Sequence, residues 1–153
     1  ERIAFVGWGH GGTLALVFAG GRPGHVQAVV AIDPVTGWDS ELDHGSSTYR
    51  AWHFRQLGLP AIQPVRHLLR TPATFVGAVT VPLLLLGTDT DASRARQLDS
   101  LTALLRELNV PFEQEVSVGE SPWTTAARAA AFIRTVVGPN PAPPAEAMRT
   151  ETI

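Results

Sequence analysis

The stretch RIAFVGWGHGGTLALV, Arg2–Val17, decides the reading of the fold. Its apolar run Ile3-Ala4-Phe5-Val6 stops at Gly7, and the helix-forming Thr13-Leu14-Ala15-Leu16-Val17 follows a glycine-dense turn. Strand, tight turn and helix in this order are the setting of a nucleophile elbow, G-x-S-x-G, whose central residue projects above the end of a sheet. The five residues here are Gly7-Trp8-Gly9-His10-Gly11, so the frame stands and the place of the serine holds Gly9. Backbone strain at such a turn costs a non-glycine residue on the order of 1–3 kcal/mol. Glycine takes positive φ with little penalty and brings no hydroxyl. A glycine-rich strand-to-helix turn with no chemical role is the plainer reading of the same residues.

Outward from this turn, strands and helices alternate. The pattern predicts a strand over Ile3–Val6 and a helix over Gly11–Ala19, ended by the breaker cluster Gly20-Gly21-Arg22-Pro23-Gly24. Val26–Ile32 is a continuous apolar run, as expected of a strand buried on both faces. Residues 35–75 are less regular, with short helical candidates at Tyr49–Leu57 and Gln63–Leu69. Val81–Leu86 reads as a third strand with an exit turn at Gly87–Asp91. Ser93–Leu108 is an amphipathic helix whose apolar stripe is Leu98, Leu101, Leu105 and Leu108. Phe112–Val118 is a fourth strand, and Pro122–Val137 a last helix with Ser121 as N-cap and Gly138 beyond its end. Such alternation predicts a parallel α/β sheet, with function gathered at the carboxyl ends of its strands. Residues 1–138 are expected to form this domain, and residues 139–153 a proline-rich flexible tail.

Composition narrows the function. With 44% hydrophobic and 17% charged residues, the chain is globular rather than disordered. A net charge of −2 gives no bulk attraction to nucleic acid or to an anionic membrane. The absence of cysteine excludes disulfides, thiolate metal sites and cysteine nucleophiles. No apolar run reaches membrane-spanning length and no signal peptide is visible, so a cytoplasmic location is expected. All 12 basic residues are arginine, which reads as a bacterial high-GC coding bias. A strand almost at the first residue gives the chain the look of a trimmed product.

Four segments then point to a family. Gly7-Trp8-Gly9-His10-Gly11-Gly12 resembles the GWSxGG elbow of prolyl oligopeptidase-type serine peptidases, the S9 class. Asp33-Pro34-Val35-Thr36-Gly37-Trp38 resembles their PVTDW segment, with Gly37 in place of an acid. Arg55 with Gly58-Leu59-Pro60 resembles ERYxGLP, and Val81–Thr88 resembles TPLLLIHGT. The resemblance runs in order from about Arg2 to Gly138 and implies the C-terminal part of an α/β-hydrolase domain. The implied fold is a truncated α/β-hydrolase with about four parallel strands flanked by helices. It also implies that the backbone N–H of His10 is one oxyanion donor, the second lying before the elbow.

Carried over residue by residue, the triad is missing. The nucleophile position is Gly9, the acid position is Thr90 with Asp89 and Asp91 on either side, and the histidine position is Pro122. No histidine follows His67. Without serine and imidazole the acyl-enzyme route has neither attacking oxygen nor proton shuttle. His10 is a candidate base, against the plainer reading of a packed side chain. Asp89 and Asp91 are candidates for water activation or cation binding, against Asp91 as a helix N-cap. His44 with Asp43, Ser46 and Ser47 reads as a solvated loop, and the spacing of the histidines supports no metal site. Trp8, His10, Trp38 and Trp123 are the candidate ligand-binding residues, with Trp52 among the tryptophans expected near strand exits.

These features predict a noncatalytic, peptidase-like binding or scaffolding subunit for a peptide or small acyl ligand, with no cofactor. The alternative is an unusual or complemented hydrolase using His10 or Asp89/Asp91 with residues from a partner chain. The strand at residues 2–6 is expected to be an open edge exposing Ile3 and Phe5, covered in a homodimer or by a second chain.

Overall fold

The computed structural model describes residues 2–38, 42, 46–88 and 92–138. Within them the chain forms β1 (Ala4–Trp8), α1 (His10–Gly21), β2 (Ala28–Ile32), α2 (Ser47–Leu57), α3 (Pro64–Leu68), β3 (Leu83–Thr88), α4 (Ala92–Glu107), β4 (Glu113–Ser117) and α5 (Pro122–Val137). Two single turns of 3₁₀ helix, Pro72–Thr74 and Val76–Ala78, join α3 to β3. The four strands make one parallel sheet in the order β1-β2-β3-β4. This is the parallel α/β sheet expected from the alternation, with the four strands that the resemblance implies. The tail expected at residues 139–153 and the exit-turn residues Asp89–Asp91 lie outside the described residues.

Strand alternation divides the core into two layers. Val29 and Ala31 of β2 with Leu83 and Leu85 of β3 meet Ala15, Leu16 and Ala19 of α1 and Leu98, Leu101 and Leu105 of α4. Ala28, Val30 and Ile32 with Leu84 and Leu86 meet Ala129 and Phe132 of α5. The central strands are apolar on both faces because helices cover both, so VVAI and LLLL carry no polar residue.

Two expectations are corrected. Leu108 lies past the end of α4 and is exposed, so the buried stripe ends at Leu105. At the edge strand, Phe5 turns toward α1 and packs on Phe18 with ring centroids 4.9 Å apart. Its neighbours Val6 and Trp8 face the other side, beyond the reach of α5, and stand 51% and 46% exposed. The period-2 alternation of β1 therefore exposes Val6 and Trp8 rather than Phe5; Ile3, just before the strand, is also exposed. No helix among the described residues is long and apolar enough to cross a membrane.

Candidate functional site

The turn between β1 and α1 keeps the elbow geometry. Gly9 has φ 54° and ψ −118°, and its N–H donates to the carbonyl of Ile32 at 2.8 Å, tying the turn to β2. The N–H of Thr13 donates to the Gly9 carbonyl at 3.0 Å and begins the helical ladder. Gly7 is required by close approach: a Cβ there would stand 2.1 Å from the backbone carbonyl carbon of Gly11. At Gly9 no such clash arises among the described residues. Among the described residues a Cβ would meet only Arg94 Nη1, at 3.9 Å. The backbone conformation of a nucleophile elbow is thus present with glycine at its central position.

The surroundings of Gly9 come from the ends of β2 and β3. Asp33, at φ 43°, accepts from the Thr88 N–H at 2.7 Å and from Thr88 Oγ1 at 2.6 Å. Arg94 Nη1 donates to the Asp33 carbonyl at 2.9 Å. These contacts lock the carboxyl ends of two adjacent strands. Thr13 is more than an early helical residue: its hydroxyl donates to Val35 O at 2.8 Å and accepts from Val35 N at 2.9 Å. The next residues are held by α4, where Gln97 Oε1 accepts from the N–H groups of Thr36 and Gly37 at 2.9 and 3.0 Å. That double anchor delivers Trp38 into the molecule.

Trp38 walls a cavity of about 380 Å³ shared with His10, Trp52, His53, Gln56 and Arg70. Its Nε1–H donates to the Arg70 carbonyl at 3.1 Å. The Trp38 ring lies 5.3 Å from that of His10 and 4.7 Å from that of the buried His53. Trp52 meets His10 edge-on at 6.0 Å. Tyr49 Oη and His10 Nε2 are 3.1 Å apart and share a hydrogen bond. An apolar volume of this size with a few polar groups at its wall is the form of a small-molecule or side-chain pocket.

The structure gathers some of the expected site residues and separates others. His10 and Trp38 share the cavity; Trp8 lines no described cavity, and Trp123 lies at the start of α5, 84% exposed. Pro122 occupies the first turn of α5, capped by Ser121 Oγ, which accepts from Thr124 N at 3.2 Å. The residue before the cap, Glu120, is tied to Arg128 at 2.5 Å and to Ser117 at 3.0 Å. Arg128 also pairs with Glu115 at 2.7 Å, and these carboxylates raise its guanidinium pKa above the ordinary value. The segment where the resemblance implies a histidine, residues 119–123, is therefore built as a helix start. Asp89, Thr90 and Asp91 lie outside the described residues. Among the described residues no group of three or more metal-ligating side chains gathers. Asp33, Tyr49 and Arg94 were not singled out from the sequence. Tyr49 and Trp52, three apart on α2, carried the one legible signal, since that spacing puts both rings on one helical face.

The sequence profile of the prolyl oligopeptidase peptidase family (S9) matches residues 1–132. The chain belongs to the prolyl oligopeptidase family. Among solved structures, Porphyromonas gingivalis dipeptidyl peptidase 4 superposes with a TM-score of 0.74 at 20% identity, over 88% of this chain and 20% of that one. A puromycin-hydrolyzing peptidase of Mycobacterium tuberculosis gives 0.72 at 20% identity, over 93% and 23%. An acetyl xylan esterase from Paenibacillus sp. R4 gives 0.63 at 22% identity, over 88% and 45%. The prolyl oligopeptidase-family chain described here spans about a fifth of the two peptidases and under half of the esterase. No curated protein matches it. At these identities the solved structures establish the shared α/β-hydrolase fold.

Proposed function

We propose that this member of the prolyl oligopeptidase family is a noncatalytic binding module that takes a peptide or small acyl ligand in the aromatic cavity beside Gly9. One observation carries the reading: the elbow is intact at φ 54°, yet its apex is glycine, and among the described residues a Cβ there would meet only Arg94 Nη1, at 3.9 Å. The matched histidine position supports it, being Pro122 in the first turn of α5. A hydrolase working through His10 is the second reading, favoured by the 3.1 Å hydrogen bond between its Nε2 and the Tyr49 hydroxyl.

A fluorophosphonate probe, p-nitrophenyl esters and proline-containing peptide amides separate the two. We expect no labelling and no turnover, with thermal stabilisation by a bound peptide. A ligand at a hundred times its Kd adds about 2.7 kcal/mol, or a rise in Tm of several degrees. Turnover abolished by His10→Ala overturns the binding reading. Gly9→Ser is expected to remain unlabelled, because no imidazole stands at the matched position, and to lose about 1–3 kcal/mol to backbone strain. Urea denaturation measures the second effect, and labelling of this variant contradicts the first.

We also propose that a second copy covers the outer edge of β1. Among the described residues that edge has no partner strand, and Ile3, Val6, Trp8 and Leu14 stand exposed along it. Antiparallel pairing of β1 with its own copy is self-complementary about a two-fold axis. Light scattering at micromolar concentration is expected to give a dimer mass, and Val6→Lys a monomer. A monomeric native chain rejects the pairing.

A further inference from the structure

Between Ser46 and Thr88 the sequence carries Arg50, Arg55, Arg66 and Arg70 and no Asp or Glu, in a chain whose net charge is −2. This cationic segment includes α2 and α3 and supplies most of the cavity wall. The nearest acids in sequence are Asp43 and Asp89, outside the described residues. None of the four guanidinium groups pairs with a carboxylate among the described residues. At the cavity itself, the backbone carbonyl of Arg70 is committed to Trp38, while its side chain and the amide of Gln56 make no hydrogen bond among the described residues. On the other side of Trp52 a shallow groove runs along Ser47, Thr48 and Arg55. Trp52 thus stands between a partly open cavity lined by Arg70 and a shallower groove lined by Arg55.

We infer that the ligand is an acidic peptide, with one Asp or Glu side chain lodged between Trp38 and Trp52 and its carboxylate on Arg70. This deepens the binding reading above and rests on it. An aliphatic stem packs on the indole walls, and the planar guanidinium offers paired donors matched to a carboxylate. Gln56 lines the same cavity and offers an amide donor. The chain beyond Trp52 meets Arg55, which favours a second acid two or three residues away.

The test is calorimetric titration, at low and at physiological salt, of the intact chain and its Arg70→Gln variant. The probes are N-acetylated, C-amidated Ala-Phe-Glu-Ala, Ala-Phe-Gln-Ala and Ala-Phe-Lys-Ala. The Glu peptide is expected to bind about tenfold more tightly than the Gln peptide, with the Lys peptide weakest. Arg70→Gln should bring the Glu peptide to the Gln level, leave the Gln peptide unchanged and flatten the salt dependence. Equal binding of the Glu and Gln peptides, preference for Lys, or an equal loss of both affinities in the variant overturns the acidic preference and leaves the binding reading standing. Binding of none of the three peptides overturns both. Arg70 is exposed and its backbone contact survives the change, so the variant is expected to keep the native melting temperature.

Discussion

Gly7→Ala is expected to cost at least about 3 kcal/mol of stability, above the usual 1–3 kcal/mol for overpacking. The added methyl would lie 2.1 Å from the carbonyl carbon and oxygen of Gly11 and 2.4 Å from the nitrogen of Gly12. Those atoms are backbone in the first turn of α1 and have no rotamer through which to retreat. The turn is pinned on both sides, by the Gly9 N–H on Ile32 and by the exchange of hydrogen bonds between Thr13 and Val35. Relief requires β1 and α1 to separate, which loosens the packing of Ala15 and Leu16 on the sheet. Gly11→Ala is the control. No atom lies within 4 Å of a Cβ there, and alanine within a helix is favoured over glycine by about 0.5–1 kcal/mol. Urea denaturation should lower the midpoint of the first variant sharply and raise that of the second slightly. Matching midpoints for the two would show that the strand and helix do not approach as described.

Trp38→Ala is expected to lose about 3–5 kcal/mol together with the binding cavity. The indole is 7% exposed, packs in tilted contact against His10 and His53, and donates to the Arg70 carbonyl. Its removal empties the wall between the elbow and α2 and strips that carbonyl of its partner. Trp52→Ala separates the two consequences. Trp52 is half-exposed and lines the same cavity, so its loss should weaken ligand binding comparably at about 1 kcal/mol of stability. Chemical denaturation and peptide titration of the pair make the comparison. Trp38→Ala with native stability would place that ring outside the core, and Trp52→Ala with native binding would remove the cavity from the ligand's path.

Much of this architecture was legible because the central strands announce themselves. VVAI and LLLL are apolar on both faces, and in a chain with short breakers between them such runs have few other fates. Ser121-Pro122 marked the start of α5 through cap chemistry that acts within one turn. The edge strand was harder, since which of its faces α1 covers depends on where the helix lies; Phe5 reads as uncovered in the sequence and is half-buried against Phe18. The cavity was harder still. Trp38 and Trp52 are 14 positions apart, and the four tryptophans look equivalent in sequence. Only the anchoring of Thr36 and Gly37 on Gln97, about 60 residues away, turns Trp38 inward, while Trp123 on α5 remains in solvent.

The amino-acid order alone thus settled the parallel α/β frame, the family and the glycine at the apex of the elbow, because periodicity, turn chemistry and motif identity act over a few residues. The tertiary structure alone decided which aromatics share a cavity and which arginine lines it. Those depend on contacts between segments 20 to 60 residues apart, which no local pattern records.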